Sequence, residues 1–231
     1  MPELPEVETT LRGILPHIEK QTILKAVVRE HRFRWPIPSN MSEILLGKMI
    51  LTAERRAKYL LLKTPEGTII IHLGMSGHLR ILTHDQAPQK HDHIDLVFHE
   101  KILRFTDPRR FGAFLWVEGN PYHHLLLKNL GVEPLTRGFN GRYLWQRAQG
   151  RIVPIKSFLM DNKIVTGIGN IYAAEALFKA GIHPSTPVNA LSVERLERLV
   201  KSSKQILSLA IKRGGTTLKD FIERWQTWLF F

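Results

Sequence analysis

The sequence predicts an α+β protein: an N-terminal antiparallel β-sandwich with a flanking N-terminal helix, followed by a helical domain. Three observations carry that prediction. Short apolar runs crowd the first half at close spacing, which makes a sandwich or a barrel and not a parallel α/β sheet. From residue 121 onward the apolar residues instead recur at three and four, the helical period. The composition, 43% hydrophobic and 23% charged over 231 residues, suits a folded chain that buries a sizeable core.

Taken in order, residues 6–15 read as a helix at the front of the sheet region and residues 41–46 as a second, shorter one. Strand character falls on residues 23–28, 49–51, 59–62, 68–73, 78–82, 93–98 and 113–117. Pro65-Glu66-Gly67, between YLLLK and TIIIHL, reads as a hairpin turn in which Gly67 supplies a conformation that a Cβ would forbid. Periodicity breaks at GVEPL, residues 131–135, and places a domain boundary there. Residues 1–132 then form the first domain, residues 133–221 the second, and residues 222–231 an apolar tail. Within the second domain Val193, Leu196, Val200, Leu207 and Ile211 mark one helix face, with Ser192 placed to cap its start and Gly214 to end it.

Composition also excludes. With no cysteine, disulfide scaffolds, iron–sulfur proteins, Cys nucleophiles and thiolate zinc fingers fall away. No apolar run approaches the roughly 18–20 residues that span a bilayer, and MPELPEVETT lacks the basic and then apolar order of a signal peptide. A soluble, cytoplasmic protein without a membrane partner is expected. A formal charge of +12 and a pI near 10.1 point to a polyanion, because Lys and Arg release counterions from phosphates on binding. Nucleic acid is the first expectation.

Three motifs carry chemistry. Removal of Met1 turns Pro2 into a free secondary amine, whose pKa belongs with the α-amino groups and far below that of lysine. Such an amine attacks an electrophilic carbon and forms an iminium, and Glu3 brings a carboxylate for proton transfer. RRAKYLLL, residues 55–62, runs a cation cluster into a buried strand and puts Lys58 at the sheet edge, where partial desolvation suits acid–base work. Taken singly, these two motifs also describe a solvated terminus and a solvated strand end. In the third, MDNKIVTGIGNIYAAEALFKAGIHP, Gly167 and Gly169 make a tight turn before a helix that starts near Asn170. Backbone N–H groups, the helix dipole and the Asn170 amide then face one point, which describes a phosphate site.

MPELPEVETT, RRAKYLLL, IIIHLGMSG, KHDHIDLVF, TDPRRFGAFLW, MDNKIVTGIGNIYAAEALF and RGGTTLKDF follow in this order over residues 1 to about 221. Together they resemble the bacterial formamidopyrimidine-DNA glycosylases, also called 8-oxoguanine DNA glycosylases. The opening PELPEVE looks like this branch and unlike the endonuclease VIII branch, which typically begins PEGPE. The resemblance implies that the helical domain is a helix-two-turn-helix DNA-binding domain. It also implies a monomeric, nucleoid-associated repair enzyme, both glycosylase and AP lyase, acting on oxidised purines or AP sites in double-stranded DNA. Pro2 would attack C1′, Glu3 would serve base loss and ring opening as acid/base, and Lys58 would donate a proton for β-elimination, with a second elimination following and no metal in the chemistry.

By the same resemblance, Met75, Arg109 and Phe111 match the void-filling triad that occupies the gap left by a flipped base. GMSG and PRRFG suit exposed loop tips better than a core. Phosphate contacts are expected from His72, His91, Arg110, Arg151, Lys156 and Asn170, although QRAQGRIVP around Arg151 is less lysine-rich than the family pattern. His91 and His93 flank Asp92 and would suit a zinc ion, a reading set aside on the expectation that the two rings point to opposite faces. No metal is expected among these residues.

Family members continue past RGGTTLKDF through a lesion-covering loop into a zinc finger with four cysteine ligands and a phosphate-gripping arginine. After Phe221 this sequence reads IERWQTWLFF, so no zinc is expected here. A truncated product, a lineage without the finger, and a lesion binder without turnover are the three accounts. The last makes the alternative to an enzyme: a catalytically impaired protein that binds lesion or abasic DNA. Trp225, Trp228, Phe230 and Phe231 are expected to pack onto the helical domain, since together they would otherwise expose an apolar patch.

Overall fold

The structure, a computed structural model, describes residues 2–83 and 86–215. The expected apolar tail, with Trp225, Trp228, Phe230 and Phe231, lies outside the described residues. The chain divides into two compact units, Pro2 with Val7–Lys128, and Glu3–Glu6 with the chain from Asn129.

The first helix, α1 (Leu4–Ile18), forms because Val7, Leu11, Ile14 and Ile18 recur at four, three and four and bury one face. On its outer face Glu8 and Arg12 pair one turn apart at 2.9 Å. In chain order follow β1 (Lys25–Val28), α2 (Met41–Leu45), β2 (Thr52–Arg56), β3 (Tyr59–Lys63), β4 (Gly67–His72), β5 (His78–Leu82), β6 (Asp92–Val97), β7 (Ile102–Thr106) and β8 (Ala113–Glu118). They build two antiparallel sheets of four strands, ordered β1-β6-β7-β5 and β2-β3-β4-β8. Leu60, Leu62, Ile69 and Ile71 of one sheet share a core with Ile94, Leu96, Leu103 and Phe105 of the other and with the buried face of α1. This is the β-sandwich with a flanking helix.

Three local expectations fail, each for a physical reason. Residues 49–51 form no strand; Met49 makes an isolated bridge to Thr22 and the Ile50 N–H donates to Gln21 O at 2.9 Å. The strand starts one residue later as β2, TAERR, whose polar side chains suit the edge position it takes in its sheet. Strand β7 carries no unbroken apolar run, because Arg104 interrupts ILRFT. Arg104 is nonetheless 2% exposed, since its guanidinium grips Asp95 at 2.7 and 2.9 Å and reaches Asp92 at 3.4 Å. Finally, Gly67 is needed for space and not for a left-handed backbone: a Cβ there would lie 2.5 Å from Val117 O and 2.6 Å from the Trp116 ring of β8.

The second unit is helical: α3 (Gly141–Ala148), α4 (Ile155–Met160), α5 (Asn170–Ala180) and α6 (Val193–Lys212). Leu144, Phe158, Tyr172, Leu177, Leu196, Val200 and Leu207 meet in one core. Ser192 caps α6 by accepting the Arg195 N–H at 3.4 Å, and Gly214 follows its end at φ +81°. Between α4 and α5 the chain turns twice, first where Ile164 N–H donates to Asp161 O at 2.8 Å and again through Gly167 at φ +80°. This is the helix-two-turn-helix.

Candidate active site

In the first unit Pro2 stands two residues ahead of α1 and is half-buried. Lys58 was expected at the edge of the sheet; the structure puts it at the tip of a two-residue hairpin, because Arg56 pairs with Tyr59 and leaves only Ala57 and Lys58 to turn. Ala57 takes φ +55°, a left-handed conformation that costs a residue with a Cβ about 1 kcal/mol. Arg55 secures that turn by donating to Ala57 O at 2.9 Å while its Nε donates to Glu8 of α1, also at 2.9 Å.

His72 closes β4. Burial, and then the positive charges of Lys58 and Arg34, push its pKa from 6.5 down to about 4, against an opposing pull from Asp107. The ring is therefore neutral at pH 7. Its Nδ1 accepts the Gly74 N–H at 3.0 Å, so the hydrogen sits on Nε2. The ring also leans on Tyr59, 4.8 Å between centroids. His72 can thus offer a phosphate a neutral N–H donor, not a cation.

Two loops carry the triad. Met75, between β4 and β5, is 43% exposed, and Phe111, between β7 and β8, is 44% exposed. Neither packs in the core. The Arg109 guanidinium stacks over the Phe111 ring at 4.7 Å. Arg110 takes φ +55° and donates to Glu30 at 2.8 Å. Bonds from Arg32, reinforced by the charge of Arg110, hold Glu30 down at about 2. The expectation that His91 and His93 face opposite ways is wrong. Residues two apart along an extended chain share a face, and the rings meet edge to face with centroids 6.2 Å apart. His93 Nε2 donates to Asp107 O at 2.9 Å. Among the described residues no three His, Cys, Asp or Glu side chains are grouped to hold a metal ion, and no helix is long and apolar enough to cross a membrane.

In the second unit the turn before α5 is already filled. Glu3 is 2% exposed; its Oε2 accepts the N–H groups of Gly169 at 2.6 Å and Tyr172 at 3.5 Å, and its Oε1 accepts that of Ile171 at 2.9 Å. The phosphate site read from this glycine turn is therefore corrected, because the anion seated on these N–H groups is the protein's own carboxylate. Gly169 makes room for it, since a Cβ would stand 2.4 Å from Glu3 Cδ. Glu6 completes the seat, accepting the Glu3 N–H at 2.9 Å and the Tyr172 hydroxyl at 2.6 Å. Glu6 and Tyr172 were not singled out from the sequence, although Glu3 and Glu6 have the spacing of a capping box.

Asn170 is exposed as the first residue of α5, beside the Glu3 seat. Lys156 lies half-buried in the first turn of α4, with its N–H on Pro184 O at 3.2 Å. Arg151 is exposed in the loop after α3, its guanidinium 5.8 Å from the Phe158 ring. Within the first unit the structure groups Lys58 with His72, and Met75 with Arg109, Arg110 and Phe111; Arg151, Lys156 and Asn170 belong to the second unit.

Comparison with known proteins places nearly the whole chain beside one family. The family model for the formamidopyrimidine-DNA glycosylase N-terminal domain matches residues 1–114, and that for the formamidopyrimidine-DNA glycosylase H2TH domain matches residues 130–222. The formamidopyrimidine-DNA glycosylase of Hydrogenovibrio crunogenus is 53% identical over 223 residues, 96% of this chain and 80% of the relative. The crystal structure of the Lactococcus lactis enzyme, non-covalently bound to DNA containing an AP site, superposes with a TM-score of 0.87 at 32% identity, covering 94% of this chain and 85% of that one. A second L. lactis complex, with Fapy-dG containing DNA, gives 0.86 at 33% identity, covering 94% and 82%. The chain belongs to the formamidopyrimidine-DNA glycosylase family.

Proposed function

We propose that this chain, once Met1 is removed, excises oxidised purines from double-stranded DNA and then cleaves the abasic strand through a Schiff base on Pro2. The observation that carries the reading is the seat of Glu3. A carboxylate one residue from the amine is fixed by the N–H groups of Gly169 and Ile171, and its own N–H is held by Glu6. A group that exchanges protons at a reacting centre gains from being held in one place.

The Pro2 nitrogen attacks C1′ and the bond to the damaged base breaks. The C1′–O4′ bond then opens, with Glu3 serving the O4′ proton, and leaves an iminium at C1′. The iminium acidifies the C2′ hydrogens; loss of one expels the 3′ phosphate, Lys58 serves as acid, and a second elimination releases the 5′ side. Met75, Arg109 and Phe111 fill the void left by the flipped nucleotide. His72, His91, Arg110, Arg151, Lys156 and Asn170 contact the phosphate backbone, and the +12 charge adds salt-dependent affinity. The DNA bound by the L. lactis relatives supports the same partner here.

Borohydride trapping on an 8-oxoguanine duplex tests this. A covalent adduct that disappears in Pro2→Gly, with product carrying phosphate on both sides of a one-nucleotide gap, is the expected result. A salt-sensitive gel shift without adduct would overturn it in favour of a binder of damaged DNA that does not turn over.

A further inference from the structure

We infer that Asp107 is the positioning residue that ties the Met75 loop and the Arg109–Phe111 loop into one wedge. The inference rests on the repair reading above and gives a part in the base-extruding step to a residue that is itself buried.

Asp107 is fully buried, at 0% exposure. Its Oδ1 accepts the Ser76 hydroxyl at 2.8 Å and the Arg109 N–H at 3.2 Å, while Oδ2 accepts the Gly112 N–H at 2.8 Å. Ser76 adjoins Met75, and Arg109 and Gly112 bracket Arg110 and Phe111. One carboxylate therefore holds the roots of both tips. Its backbone extends the tie: the Asp107 N–H donates to His91 O at 3.1 Å, and Asp107 O accepts from the Arg110 N–H at 3.2 Å and from His93 Nε2 at 2.9 Å.

Among the buried acids of this protein, Asp107 is bonded as Glu3 is, and not as the acids of β6 are. Asp92 and Asp95 of β6 meet Arg80, Arg104 and Arg29, whereas the bonds of the Asp107 carboxylate go to a hydroxyl and to loop N–H groups. The buried Gly112 N–H would otherwise be left without this acceptor. The loops are also pressed together. A Cβ on Gly74 would stand 2.6 Å from Gly112 N and from Phe111 C, and one on Gly112 would stand 2.6 Å from His72 O. No side chain intervenes, so displacing one loop displaces the other. Two exposed tips on a shared buried anchor enter a base stack with their geometry already set, which is what insertion requires of a wedge.

The test separates extrusion from chemistry. Asp107→Asn keeps the side chain's size but replaces one acceptor by an NH₂ group that cannot receive the loop N–H bonds. Ser76→Ala removes only the tie to the Met75 loop. Each variant is assayed in single turnover on an 8-oxoguanine duplex and for lyase cleavage of a single-stranded abasic oligonucleotide, where no base has to leave a stack. The fluorescence of 2-aminopurine beside the lesion reports unstacking on binding. Asp107→Asn is expected to slow duplex excision about tenfold and to suppress the 2-aminopurine rise while leaving single-strand cleavage near wild type. Ser76→Ala is expected to give the same split at about fivefold. Equal losses on both substrates, or no loss on the duplex, would overturn the inference. If Asp107→Asn does not fold, Ser76→Ala decides, and an unchanged ratio of the two rates refutes it. A wild-type protein that unstacks 2-aminopurine but forms no borohydride adduct would sink the proposed chemistry and leave the wedge to be judged by fluorescence.

Discussion

Gly169→Ala is the sharpest single test of the Glu3 seat. The new methyl group would lie 2.4 Å from Glu3 Cδ, 2.5 Å from Oε1 and 2.8 Å from Cγ, so either the carboxylate leaves or the start of α5 moves. Both outcomes break the bonds at 2.6 Å to Gly169 and 2.9 Å to Ile171. Hydrogen bonds to a charged group contribute about 1.5–3 kcal/mol each. Two of them set an upper bound near 6 kcal/mol, and rehydration of a displaced Glu3 returns part of it, leaving about 3 kcal/mol. In a chain of this size that lowers the melting temperature by about 6–12 °C. Loss of a positioned acid/base group should also slow excision about 100-fold or more. Gly13→Ala is the control: nothing lies within 4 Å of a Cβ there, and glycine to alanine inside a helix stabilises by about 0.5–1 kcal/mol. Circular-dichroism melts and single-turnover excision are read on both variants. A Gly169→Ala protein that melts within about 2 °C of wild type and excises at the wild-type rate would refute the account of the seat.

The remaining expectations concern the first unit and the DNA contacts. Because the folded pKa of His72 lies near 4, below its ordinary 6.5, the stability gained from its neutral ring is present above pH 6.5 and is lost as pH falls toward 4. Between pH 7 and pH 5 the wild type should therefore lose about 2 kcal/mol more than His72→Gln, and urea unfolding that gives parallel losses would count against the burial argument. Arg104→Met leaves the buried carboxylates of Asp92 and Asp95 short of a partner, although Arg80 and Arg29 remain; a loss of about 3 kcal/mol is expected, and a melting temperature equal to wild type would contradict it. Lys156→Ala should weaken DNA binding evenly across sequences and reduce the salt slope by about one unit, so an unchanged slope in a binding titration at several salt concentrations removes Lys156 from the phosphate contacts.

Patterning reveals the parts of this fold that bury one clean face. Val193, Leu196, Val200 and Leu207 announce α6, and YLLLK followed by TIIIHL announces β3 and β4. Strand β7 is hidden because Arg104, the residue that breaks its apolar run, is charged yet buried among aspartates contributed by β6. No window along the chain contains that compensation. The candidate site is split in the same way. Pro2, Lys58 and the exposed triad stand in contiguous motifs. The seat of Glu3 joins residues 166 and 168 positions apart, so the glycine turn that looks ready for a phosphate gives no local sign of its occupant. Asp107 sits inside TDPRRFG, but its work lies in bonds to Ser76 and Gly112 that only the folded loops create.

The distance between Glu3 and its donors also sets an order of events in the cell. The ribosome releases Glu3 at the start of synthesis and Tyr172 169 residues later, an interval of about 10–30 s at ordinary elongation rates. Through that interval the amine end of the nascent chain has no carboxylate seated beside it. The seat of Glu3, on which the proposed chemistry rests, is completed only when α5 has been made, so a chain arrested before it lacks that seat.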